Sequence, residues 1–154
     1  MSVCEVTEAT EVADGKKDLE RLSMYATAMI HDVSKISDST ALCIPAEDSR
    51  FAHIIPDAQR GYETVYEACK AVQKIVAQYV NPETAVDPIS DKIYPLMAAE
   101  RNLHERVIAF IALVGAVNPD TSRINKHTLE FQERLKNFYE ETTKHTEQNC
   151  AYQR

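Results

Sequence analysis

The chain has 154 residues, and its 24 acidic side chains outnumber its 17 lysines and arginines, which gives a formal net charge of -7 at pH 7. With 44% hydrophobic residues and only three glycines, the composition is typical of one compact helical domain and disfavours a disordered or all-β chain. No lysine- or arginine-rich run is present, so the positive surface that nucleic-acid binding requires is not predicted.

Residues 1–13 are acidic and have no sustained hydrophobic period, so we interpret them as a flexible arm. The first helix is predicted after Asp14 and Gly15, where apolar residues begin to recur at steps of three and four. This stripe comprises Leu19, Leu22, Ala26, Met29, Val33 and Ile36. The helix is predicted to end in the polar run 37–40, whose side chains compete for backbone hydrogen bonds.

A long connection, residues 39–56, follows the first helix and carries two apolar clusters. These clusters are Leu42, Cys43 and Ile44, and then Phe51, Ile54 and Ile55. Connections of this length without a role of their own are uncommon in compact domains. We therefore predict that the clusters dock on the protein, with the outer face of residues 107–117 as the expected place.

The second helix is predicted over residues 57–80, with a stripe of Tyr62, Val65, Cys69, Val72, Val76 and Tyr79. Asp87 and Pro88 form a typical helix start, and Pro95 predicts a kink or a separate short segment near the beginning of the third helix. The seam of the third helix then reads Ile89, Ile93, Leu96, Glu100, Leu103, Val107, Phe110, Val114 and Val117.

Asn118, Pro119 and Asp120 predict the turn into the fourth helix, and residues 148–154 are interpreted as a loose tail. The seam of the fourth helix comprises Ile124, Thr128, Phe131, Leu135, Phe138, Thr142 and His145. Four such segments predict an all-α four-helix bundle, formed as a single domain by residues 14–147. The short second and third links predict antiparallel neighbours, whereas the first link permits either an adjacent or a crossover placement.

Residues 107–117 contain no charged or hydrogen-bonding side chain and are apolar all the way round the helix. The segment is too short to span a bilayer, which takes about 20 apolar residues. A helix of this kind needs cover on every side. Three sources of cover remain open: the 39–56 connection, a second copy of the chain, or a partner protein.

Glu100 is the one charged residue on the seam of the third helix, and His104 lies one turn further along the same face. A structural ion pair is the favoured interpretation, with Arg134, Lys136 or Lys70 as the cation. A metal-binding or catalytic role is the alternative. The motifs Glu100-x-x-x-His104 and His127-x-x-Glu130 do not match the spacing of a di-iron bundle site, and no metal or cofactor is predicted.

Other sequence signals give no catalytic site. The glycines at 15, 61 and 115 are scattered, so no phosphate-binding loop is predicted, and the four cysteines form no C-x-x-C pair. Because no export signal is visible, we expect free thiols and a cytoplasmic location.

The favoured function is a non-enzymatic interaction or adaptor protein that presents an apolar helix face or groove to a partner or to itself. The residues expected at that interface are Ile108, Ala112, Leu113, Leu42, Ile44, Phe51, Ile54 and Ile55. One alternative is a small-ligand or metal carrier, or an enzyme, with a pocket between the third and fourth helices. Another is a secreted cytokine-like helical factor, which the long first connection would suit.

Overall fold

A computed structural model describes residues 3–81, 93–118 and 120–152, and the side chains of residues 19–81, 93–118 and 120–143. These residues form four α-helices and two short 3-10 helices, and no strand occurs among them. The helices are α1 (Val3–Leu42), α2 (Ile55–Val76), α3 (Ile93–Val114) and α4 (Thr121–Tyr152). The all-α prediction is confirmed.

The core is built from the apolar stripes that the sequence predicts. Each helix contributes four or more buried side chains to one continuous core, and its large members include Met29, Tyr79, Phe110, Phe131 and Phe138. The Tyr79 and Phe138 rings meet edge to face, with their centroids 5.0 Å apart. Spacing at three and four residues therefore identifies the buried face of all four helices.

Contacts between helices fix their directions. Asp32 and Arg21 of α1 pair with Arg134 and Glu141 of α4, so positions that rise along one helix fall along the other. The Ser23 hydroxyl of α1 donates a hydrogen bond to the carbonyl of Val80, which lies just after the end of α2. The chain leaves α1 at the other end, at Leu42, so α2 runs back along α1. The first connection therefore joins adjacent antiparallel helices, and the crossover alternative is excluded.

The helices α2 and α3 also run antiparallel and pack closely, since Gly61 lies directly against the Phe110 ring. The fourth side of the bundle is different. The helices α3 and α4 pack together much less closely than the other three neighbouring pairs do. The bundle is thus tightly closed on three sides and more open between α3 and α4.

Both predicted ends of the first helix are wrong. The helix α1 begins at Val3, before Asp14 and Gly15, and it continues through the polar run 37–40 to Leu42. Within that run the Thr40 hydroxyl donates to the carbonyl of Ile36 at 2.7 Å, so it is satisfied inside the helix. The helix α4 runs on to Tyr152, through residues predicted as a loose tail.

Other sequence predictions fall at the edge of the described residues. The predicted helix start at Asp87 and Pro88 lies outside them, and Pro95 lies within α3, two residues after Ile93, where the described part of that helix begins. The division into arm, domain and tail stays a prediction. None of the described helices combines the length and the apolar character that crossing a membrane takes.

Candidate binding groove

The outer face of residues 107–117 is uncovered. Val107, Phe110 and Val114 are buried, and Ile111 and Leu113 are partly buried against the core. Ile108 is 53% exposed, and Ala109, Ala112 and Ala116 are also exposed. No part of the described chain covers this face, so the predicted cover by the chain itself is wrong, whereas cover by a second copy or a partner protein stays a prediction. Three of its outward positions are alanines, which leave little apolar area in water.

The first connection docks elsewhere. It reaches the end of the bundle beside the α3–α4 turn, where the Asn118 side-chain amide donates to the carbonyl of buried Cys43 at 3.3 Å. Ile44 and Ile54 pack against the core. Phe51 and Ile55 are half-buried, and Leu42 is 72% exposed at the end of α1. The predicted cover of Ile108 and Ala112 by this connection is absent.

We define the α3–α4 groove by the side chains that flank the open side of the bundle. On α3 these are Tyr94, Met97, Glu100, Arg101, His104 and Ile108, and on α4 they are Leu129, Gln132, Leu135, Lys136 and Tyr139. Helical spacing places each set on one flank of its helix. The opposite flank of α4, which carries Arg134 and Glu141, faces α1 instead.

A polar cluster occupies the middle of the groove. The Gln132 side-chain nitrogen lies 3.1 Å from Glu100 Oε1 and 2.9 Å from His104 Nδ1. An ionised carboxylate only accepts hydrogen bonds, so the amide nitrogen of Gln132 must face Glu100. Its second proton is then available to the His104 ring nitrogen. The cluster joins α3 to α4 at the point where their packing is thin.

The predicted ion pair of Glu100 is not formed. In the described part of the chain its carboxylate has no salt bridge, and its partner is the neutral amide of Gln132. Arg134 instead donates to Asp32 at 3.0 Å, while the Lys70 ammonium lies 4.9 Å from the centre of the Tyr66 ring. Lys136 lines the same groove as Glu100 without pairing with it.

A cavity of about 340 Å³ lies at the wider end of the groove. Its walls are formed by Met97, Glu100, Arg101, Gln132, Leu135, Lys136 and Tyr139. Its volume is within the range of small-ligand pockets, roughly 300–1,000 Å³, and its mixture of apolar and polar groups is typical of them. This cavity lies between the third and fourth helices, where the carrier alternative expects a pocket.

The buried charge of this bundle is Asp32, which the sequence analysis missed. It is 1% exposed, and burial raises the pKa of its carboxyl above the ordinary value, against the opposing attraction and hydrogen bond of Arg134. A signal was present, because Asp32 follows Met29 by three residues and precedes Ile36 by four. It shares the buried stripe of α1 with Val33.

No metal centre emerges from the histidines and acidic residues. His127 Nδ1 is buried and has no hydrogen-bond partner. The nearest carboxylate oxygen recorded for it, Glu130 Oε2, is 3.7 Å away. Among residues with described side chains, no three His, Cys, Asp or Glu groups are placed to share a metal ion.

The two cysteines with described side chains, Cys43 and Cys69, are buried free thiols. Burial raises the pKa of the Cys69 thiol to about 12. Neither thiol contributes the disulfide that a stapled, cytokine-like fold would use.

Comparisons of the chain with protein-family models, with curated proteins and with solved structures found no match.

Proposed function

We propose that this chain is a non-enzymatic, intracellular interaction protein that binds a partner, or a second copy of itself, through the α3–α4 groove. The observation that carries the proposal is where its exposed apolar side chains lie. Eight large hydrophobic side chains are exposed among the described residues, and five of them flank this groove. They are Tyr94, Met97, Ile108, Leu129 and Tyr139.

The exposed apolar side chains lie in two groups, one on each side of the polar cluster. Ile108 and Leu129, which are 53% and 65% exposed, lie one turn beyond His104 and Gln132 towards the α3–α4 turn. Met97 and Tyr139 lie at the other end, beside the cavity. Clusters of exposed apolar residues with polar surroundings mark interaction sites on soluble proteins.

The length of the groove suits a helical partner. Met97 and Ile108 are eleven positions apart on α3, which is about 16 Å at the helical rise of 1.5 Å per residue. An amphipathic helix of about three turns would place one apolar anchor at each end. The polar cluster would then face the middle of the bound helix and fix its register.

Charge substitutions at the end of the groove that carries Ile108 and Leu129 test the proposal. Ile108→Glu and Leu129→Glu each place a carboxylate on an exposed apolar anchor of the groove. Leu42→Glu is the matched control, because Leu42, although the sequence predicts it at the interface, is 72% exposed at the end of α1 and does not belong to the α3–α4 groove. We expect both groove variants to lose about tenfold or more in affinity for a partner that wild type and Leu42→Glu retain. Circular dichroism would confirm that all three remain folded.

Light scattering across a dilution series tests the version in which the partner is a second copy. A wild-type dimer that becomes a monomer in Ile108→Glu, but not in Leu42→Glu, would identify the groove as its interface. If the groove variants keep every partner and the oligomeric state of wild type, the groove is not an interaction site and the proposal is wrong.

A further inference from the structure

We infer that the cavity at the wider end of the α3–α4 groove binds a small amphiphilic anion, a molecule with one anionic group and an apolar body. This inference goes beyond the proposed function, because its ligand is a small molecule and its site does not include the apolar end at Ile108 and Leu129.

The apolar part of the ligand would lie against one wall of the cavity. Met97 from α3 and Leu135 and Tyr139 from α4 contribute the apolar surface. Met97 and Tyr139 are about two-fifths exposed, so this surface faces open space as it stands. Removing such surface from water is favourable in proportion to the area that a ligand covers.

Two cations face the same cavity from opposite helices, Arg101 on α3 and Lys136 on α4. Within the described residues neither has an ion-pair partner, in contrast to Arg21, Arg60 and Arg134, which all pair with carboxylates. Other cations of the described residues are unpaired too, but Arg101 and Lys136 are the two that line one cavity together with large apolar side chains. Their charge and reach suit a carboxylate or sulfonate.

Glu100 limits the charge of the ligand. Its carboxylate lines the cavity too, and it already accepts a hydrogen bond from Gln132. The lining carries two cations, Arg101 and Lys136, against one carboxylate, so it attracts a single anionic group, whereas a second would be repelled by Glu100. The site therefore favours a monoanion over a dianion or a phosphate ester.

A second cavity offers a contrast within the same molecule. Between α2 and α3, about 420 Å³ of space is lined by Glu63, Thr64, Glu67, Ala68, Ala71, Asn102 and Arg106. Two carboxylates oppose one cation there, and the apolar lining consists only of alanines. The combination of unpaired cations with large apolar side chains is found in the α3–α4 cavity and not in this one.

Two probes test the inference: 8-anilinonaphthalene-1-sulfonate, followed by its fluorescence, and decanoate, followed by calorimetry and by displacement of the first probe. We expect saturable binding of one molecule per chain. The double variant Arg101→Gln/Lys136→Gln should bind about tenfold or more weakly, as expected when charge-assisted contacts are lost. The double variant Arg106→Gln/Lys126→Gln has the same net charge and should bind like wild type.

A second pair of variants tests the apolar wall. Met97→Glu should weaken both probes, whereas Met24→Glu, a substitution of another exposed methionine, should not. Ile108→Glu should leave probe affinity unchanged while it abolishes partner binding, so the two proposals fail independently. The inference is overturned if Arg101→Gln/Lys136→Gln and Met97→Glu bind the probes as tightly as their control variants do, or if decanoate fails to displace the fluorescent probe.

Discussion

At the scale of single residues, Asp32 and Arg134 show how this acidic chain accommodates a charge in its core. The Asp32 side chain is almost fully buried, whereas Arg134 is 44% exposed and donates to it from α4 at 3.0 Å. Burial disfavours the carboxylate and Arg134 favours it, and burial is the larger effect on its pKa. The pair therefore serves to limit the cost of an existing buried charge rather than to add stability.

Removing only the cation should be costly. Arg134→Gln leaves the buried carboxylate of Asp32 without its charged partner, and we expect a loss of about 2 kcal/mol in the free energy of unfolding, less than for a fully buried pair. Urea denaturation measures this loss. As a control, Arg60→Gln removes an exposed partner of Asp57 and should change stability by less than about 0.5 kcal/mol. Asp32→Asn/Arg134→Gln should recover most of the loss, and equal destabilisation by the single and double variants would contradict this account.

The raised pKa of Asp32 also predicts a pH dependence. A carboxyl whose pKa is higher in the folded state than in the unfolded state contributes stability below its ordinary pKa of 3.8, and that contribution is lost as pH rises through the folded-state pKa. Asp32→Asn does not titrate, so its unfolding free energy should increase relative to wild type between about pH 3 and pH 7. Parallel denaturant titrations at several pH values measure this difference. A difference that decreases with pH would mean that Arg134 lowers the pKa below its ordinary value.

At the scale of helices, Gly61 determines how closely α2 approaches α3. A Cβ atom at this position would lie 3.0 Å from Phe110 Cδ2, and Phe110 is fully buried. Alanine favours a helix over glycine by about 1 kcal/mol, but forcing an extra methyl group into a packed interface costs about 1–3 kcal/mol. Because Phe110 is buried in the core, where shifting its ring disturbs its packing, we expect Gly61→Ala to destabilise the fold by about 1 kcal/mol.

Thermal or urea unfolding of four proteins isolates this contact: wild type, Gly61→Ala, Phe110→Leu and the double variant. With the smaller side chain at position 110, Gly61→Ala should become neutral or stabilising. If alanine at position 61 stabilises the protein even beside Phe110, the close approach of these helices is not a constraint.

The buried stripes of the helices could be predicted from sequence because the core imposes the helical period on the chain. Leu22, Val72, Val107 and Phe131, from four different helices, are buried as predicted. The ends of the helices could not be predicted in this way, since a polar run such as residues 37–40 is compatible with a helix when its side chains are satisfied within it.

The groove was only partly predictable. Ile108 was identified from its uniformly apolar surroundings, but the same criterion placed the 39–56 connection over this face, and that connection packs at the end of the bundle instead. Leu129 and Gln132 are off the buried stripe of α4, and their importance depends on the thin packing between α3 and α4. No residue pattern within one helix carries that information, because it arises from the relative positions of two helices.

At the scale of the whole molecule, the uneven packing of the bundle predicts uneven stability. The helix α1 packs along both α2 and α4, whereas α3 packs along α2 and only thinly along α4. Regions with fewer buried contacts open at a lower free energy than the global unfolding transition. We therefore expect that in native-state hydrogen exchange the backbone amides of α3, residues 93–114, have a lower free energy of opening than those of α1 at residues 22–40.

Ligand binding gives this prediction a functional test, because a molecule bound in the groove joins α3 to α4. A ligand that binds only when α3 is packed against α4 stabilises that arrangement by RT ln(1 + [L]/Kd), about 2.7 kcal/mol at a hundredfold excess over Kd. Saturating decanoate should therefore slow exchange in α3 more than in α1, and Arg101→Gln/Lys136→Gln should remove this protection. Hydrogen exchange followed by mass spectrometry resolves the two helices. Equal protection of α1 and α3 in the free protein would mean that the open side of the bundle is as stable as its other sides. The groove would then be a rigid surface to which partners dock without ordering α3.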